Sequence, residues 1–139
     1  MTTSPGTAAR TRRVELGVVR GAGAALLAAM GGLHLYLWAH GYGELGLIGV
    51  LFLLNVIGAG LLSLAVLLGP WRWLGLLAAG AAVFTLGTLL ALVLSLTVGL
   101  FGFREDLHAD LVPTTLAVES AGTLVLTFLA ARAPNMPRQ

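Results

Sequence analysis

Four long apolar stretches, at residues 21–39, 46–68, 74–101 and 111–131, constrain this chain more than any other feature. At ~1.5 Å of rise per residue, each crosses a hydrocarbon core of ~30 Å as a helix. A backbone in lipid must satisfy its own N–H and C=O groups, so runs of this length read as helices. They are apolar on every face, whereas a helix of a soluble domain keeps one face wet. Composition agrees: 58% of residues are hydrophobic and 10% charged, far from the balance of a soluble fold. Short connections make sequential spans antiparallel. The expected fold is all-α, an up-down-up-down four-helix transmembrane bundle.

The charges are sorted by end. Arg10, Arg12, Arg13, Arg20, Arg72, Arg132 and Arg138 fall at the termini and in the middle connection, and Glu44, Glu105, Asp106 and Asp110 in the other two. Four crossings bring both termini and the middle connection to one side. The positive-inside rule then predicts cytoplasmic termini, with the acidic connections outside. The formal charge of +2 is no sign of nucleic-acid binding. The arginines flank membrane spans and lack the interleaved aromatic residues of a base-stacking surface. Lipid headgroups are the expected partner of the Arg10–Arg13 cluster. Residues 1–13 are expected to be a disordered tail and 132–139 a short second tail, where Pro134 and Pro137 oppose helix. The membrane domain is then 14–131.

Several chemistries drop out. The chain has no cysteine, which removes thiol–disulfide exchange and thiolate-held zinc or iron–sulfur centres. It carries no nucleophile elbow, phosphate-binding glycine loop or HExxH motif, and no catalytic residue or cofactor is assigned. His40, Glu44, His108 and Asp110 gather near the acidic connections as weak metal candidates without the spacing of a zinc or copper motif. Solvated loop charges are the better reading of them. Asp110 is also placed to cap the fourth helix, with Pro113 in its first turn.

Polar residues inside the spans carry the functional interest. Glu119 lies ~13 Å below the acidic end of the fourth span, with His34 at ~9 Å, Asn55 at ~15 Å and Ser95 at ~9 Å in the other three. A carboxyl at such depth is costly and marks function by default. One polar residue per helix, at one level, forms a candidate intramembrane cluster. It serves either a hydrated pocket in which Glu119 and His34 share a proton, or hydrogen bonding between helices.

Lipid supplies no hydrophobic drive between helices, so small residues at four-residue spacing mark the expected packing seams. Ala24, Ala28 and Gly32 form one on the first span, and Gly87, Ala91, Ser95 and Gly99 one on the third. Thr115, Glu119, Thr123 and Thr127 line a stripe on the fourth. Trp38, Tyr36 and Tyr42 at one boundary, and Trp71 and Trp73 at the other, fit headgroup depth.

His34, Gly41-Tyr42, Ile48 through Asn55, the Gly99–Glu105 turn GLFGFRE, Glu119 and Gly122 together resemble uncharacterised small four-span membrane proteins of actinobacteria. Size and span count are loosely similar to the DoxX-like group. The resemblance implies a bacterial plasma membrane and a four-helix fold, brings no activity with it, and directs interest to Asn55, Glu119 and the Phe101–Glu105 turn. The expected role is a non-enzymatic accessory or assembly subunit, partnered by lipid and by other membrane subunits or copies of itself. A small transporter or proton/cation pathway through Glu119 and His34 is the alternative, and a quinone- or haem-linked redox protein the weaker one.

Overall fold

A computed structural model describes residues 5–133; Met1–Ser4 and the tail from Pro134 to Gln139 lie outside it. The described residues form four α-helices: α1 (Pro5–Ala39), α2 (Leu47–Leu68), α3 (Leu74–Thr97) and α4 (Val112–Arg132). All four are long and apolar enough to cross a membrane, and the chain is an all-α membrane bundle.

Two boundaries differ from expectation. Residues 5–13 are helical rather than disordered, so α1 runs for 35 residues, or ~52 Å. Ala8, Ala9, Arg10, Arg12 and Arg13 are good helix formers, and extending an existing helix avoids a new nucleation step. α3 stops at Thr97 instead of 101. Gly99 has φ +90°, a conformation open to glycine that turns the chain out of the helix. Phe101 and Gly102, at φ 50° and 80°, then form a tight turn closed by paired backbone bonds between Leu100 and Phe103. Positive φ at both central residues is the hairpin-type geometry. The N-cap of α4 is Leu111 at φ 63°, with no side-chain cap, so Asp110 does not cap it. Pro113 occupies the first turn of α4.

Buried positions follow alternating steps of three and four residues, continuously on α4 and the first half of α3 and with positions skipped on α2. On α4 they include Thr115, Glu119, Gly122, Leu126 and Leu129, and on α3 Leu74, Ala78, Ala81, Thr85 and Ser95. This is the 3.5-residue seam of a left-handed bundle. The expected four-residue stripes drift off that seam, since each four-residue step over-rotates by ~40° on a helix of 3.6 residues per turn. Ala24 is buried, but Ala28, Gly32, Gly87 and Thr127 are exposed, and Gly99 lies beyond the end of α3. Close approaches on α1 fall at Gly23, where an added Cβ would come within 2.9 Å of Leu126 on α4, and at Gly31, where it would come within 3.1 Å of Ala59 Cβ on α2.

Around the bundle, α1 packs extensively on α2 and α3 on α4, with α1 against α4 joining the two pairs, while α2 and α3 touch far less. The core lies toward the arginine end, where Leu27, Met30, Val66, Leu74, Leu126 and Leu129 are fully buried. There Arg20 is buried too. Its Nε donates to Val66 O at 2.6 Å, a second guanidinium nitrogen donates to Gly69 O, and the group sits 5.0 Å from the Trp71 ring centre. One arginine of α1 thus answers the free carbonyls at the C-terminus of α2, where the helix dipole favours positive charge.

Candidate functional site

Toward the acidic end the sparse contact between α2 and α3 opens into a cavity of 430 Å³, within the size range of small-molecule sites. Its back wall is α1 and α4, through His34, Leu37, Thr115 and Glu119. Its sides are α2 and α3, through Leu51, Leu54, Val83 and Gly87 among others. These four are exposed on the outside of the bundle, so the opening faces the surrounding hydrocarbon. Leu100, Phe103 and Glu105 of the α3–α4 connection cover one end. Phe84 closes the other, lying against Gly58, where an added Cβ would fall 2.7 Å from its ring.

All four members of the intramembrane cluster, His34, Asn55, Ser95 and Glu119, line this cavity. They arrive there because each sits on the three-four seam of its helix. Glu119 is wholly buried, and neither carboxyl oxygen has a hydrogen-bond partner. His34 Nε2 is the nearest ionisable contact, 3.8 Å from Glu119 Oε1, beyond hydrogen-bond distance. His34 Nδ1 lies 2.9 Å from Met30 O. A carbonyl only accepts, so Nδ1 carries a proton, and in the neutral ring Nε2 is an acceptor facing Glu119.

The orientation of Asn55 follows from the same reasoning. Thr88 Oγ1 donates its one hydrogen to Phe84 O at 3.0 Å. It must therefore accept from Asn55, whose Nδ2 lies 3.0 Å away. That leaves Asn55 Oδ1 buried without a donor. The remaining hydroxyls are also spent on their own helices: Ser95 donates to Leu92 O at 2.7 Å and Thr115 to Leu111 O at 2.9 Å. The polar side of the cavity is rich in acceptors and poor in donors. Depth in the sequence singles out Glu119 and His34, and four-residue spacing puts Thr115 on the Glu119 stripe, but nothing marks Thr88, which looks like an ordinary helix threonine.

A chain of rings leads from this wall to the acidic end. His34 packs on Phe52 with centroids 4.9 Å apart, Phe52 stacks on Tyr42 at 4.9 Å, and Tyr42 meets Phe103 edge-on at 5.9 Å. Tyr42 Oη donates to Glu105 Oε2 at 2.9 Å, joining the two acidic connections. Burial, together with this carboxylate, pushes the Tyr42 phenol above its usual range, so it stays a donor at neutral pH.

The metal candidates do not converge. His40, Glu44, His108 and Asp110 are exposed, and no three potential ligands among the described residues form a metal-sized group. His40 Nδ1 is bonded to Tyr36 O. His108 turns back onto Asp106, whose oxygen accepts its backbone N–H at 2.8 Å, a local Asx turn. That bond and the His108 ring hold the Asp106 carboxyl below its ordinary value. Compared with family models, curated proteins and solved structures, the chain matches none.

Proposed function

We propose that this is a multi-pass plasma-membrane protein, cytoplasmic at both termini, that takes a lipid-soluble small molecule from the bilayer into the cavity between α2 and α3. It acts by binding, as a non-enzymatic accessory component of a membrane complex. The carrying observation is a lipid-facing cavity with an unpartnered, fully buried carboxyl on its back wall. A buried polar group without a partner costs stability, and violations of this kind concentrate where proteins act. The arginine-rich end supports the orientation, which places the cavity in the outer half of the membrane. The resemblance to small bacterial four-span proteins fits the same setting.

A continuous proton or cation pathway is less well supported. Below the cavity, Leu27, Met30, Val66, Leu126 and Leu129 fill the bundle with apolar side chains that are 0–1% exposed. Such packing leaves no room for a file of water. The cavity is a closed-ended site.

Gly87 offers the test. Nothing lies within 4 Å of a Cβ built there, so Gly87→Phe fills the opening without disturbing the helix. Native mass spectrometry of the protein released from mild detergent should show one lipid-soluble molecule retained per wild-type chain and none in G87F. Equal retention by both, or by neither, contradicts the reading.

A further inference from the structure

Resting on the reading of the cavity as a lipid-side binding site, we infer that its ligand carries a positively charged ammonium group on an apolar body. Glu119 Oε1, Glu119 Oε2 and Asn55 Oδ1 are buried acceptors without donors, and His34 Nε2 is a fourth acceptor in the neutral ring. The hydroxyl hydrogens of Thr88, Ser95 and Thr115 are committed to backbone carbonyls. The second amide hydrogen of Asn55 is the remaining donor of this group. A primary ammonium brings three donors and no acceptor, the complement of this wall.

Charge points the same way. The cavity is lined by two carboxyls, Glu119 and Glu105, and by no arginine. The nearest buried guanidinium, Arg20, is held at the opposite end of the bundle by Val66 and Gly69. A fatty acid or phosphate headgroup would bring further acceptors and negative charge to a wall that already has both. A proton on Glu119 would supply a single donor and leave the other acceptors unanswered. The remaining walls, including Leu51, Leu54, Phe52 and Phe84, accept a hydrocarbon or aromatic body. A charged headgroup at this depth is tolerated when it pairs with an opposite charge, and ammonium–carboxylate bonds are of the stronger, charge-assisted kind.

The test uses the full chain in lipid nanodiscs with three tritiated probes of equal length: dodecylamine, dodecanol and dodecanoate. Binding to G87F discs is subtracted as bilayer partitioning. Dodecylamine should bind wild type about tenfold tighter than dodecanol, the size of one charge-assisted bond, and dodecanoate weakest. In Glu119→Gln, which removes a costly buried carboxyl and keeps its shape, the preference of amine over alcohol should vanish while dodecanol binding persists. Asn55→Leu is the independent arm, expected to weaken dodecylamine several-fold. Equal affinity for amine and alcohol in wild type overturns the ammonium assignment and leaves the binding site standing. So does a preference that survives in E119Q, or amine binding unchanged in N55L. Absence of specific binding by all three probes overturns both readings.

Discussion

Two buried polar side chains occupy opposite ends of this bundle, and their surroundings give them opposite roles. Arg20 has its donors answered by Val66 O and Gly69 O and its face against Trp71. It is structural. Arg20→Gln should cost about 1.5–3 kcal/mol, the range for bonds from a charged donor, with Arg20→Lys recovering part; unfolding in mixed micelles reads this. Glu119 has neither oxygen answered. Glu119→Gln should leave stability unchanged or raise it by about 1–3 kcal/mol, a direction opposite to R20Q in the same assay. Tyr42 gives a pH dependence with a defined sign. Its phenol is held above the usual value by burial and Glu105. Its contribution is therefore complete below the unfolded value of about 10 and is lost as pH rises above it. All eight basic residues are arginine and there is no cysteine, so few other groups titrate there. Stability measured from about pH 8 to about pH 11 should fall in wild type and fall less in Tyr42→Phe. Depth in the sequence pointed to Glu119. It gave no sign that Arg20, read as a topology charge, caps another helix, because that partner lies 46 residues away.

At the scale of helices, existence and order were legible because apolar runs of span length have few other uses in a protein. The packing faces were legible only in part. Small residues four apart draw the eye, yet the seams follow alternating steps of three and four, so Gly31 is buried and Gly32 is not. That neighbouring pair separates the two rules. Gly31→Leu must push α1 off Ala59 and should destabilise by about 1–3 kcal/mol. Gly32→Leu, with nothing within 4 Å of an added Cβ, should stay within about 0.5 kcal/mol. The α3–α4 connection was harder to read. Phe101 and Leu111 adopt positive φ without being glycine, a local cost that only the surrounding fold sustains. Phe101 is 67% exposed, so Phe101→Asn should be neutral or stabilising by up to about 1 kcal/mol in the same unfolding assay.

For the whole molecule, the decisive feature is an inequality among the helix contacts. α1 binds α2, α3 binds α4, and α1 binds α4, while α2 and α3, joined by the tight Gly69–Pro70 connection, splay apart toward the acidic end. No periodicity in α2 or α3 announces this gap. It arises where their exposed residues, such as Leu54 and Val83, meet lipid instead of one another. A closed apolar core at the arginine end thus gives way to an open, acceptor-lined cavity at the other. The absence of cysteine allows the gap to be examined directly, with one nitroxide at a time on Ala91→Cys in the cavity wall, Ala81→Cys in the core and Leu90→Cys on the exposed outer face of α3. Collision with lipid-dissolved oxygen should be nearly as frequent at position 91 as at 90 and much rarer at 81. Position 91 as shielded as 81 would mean that α2 and α3 close on each other in the membrane, and the lipid-side cavity would not exist.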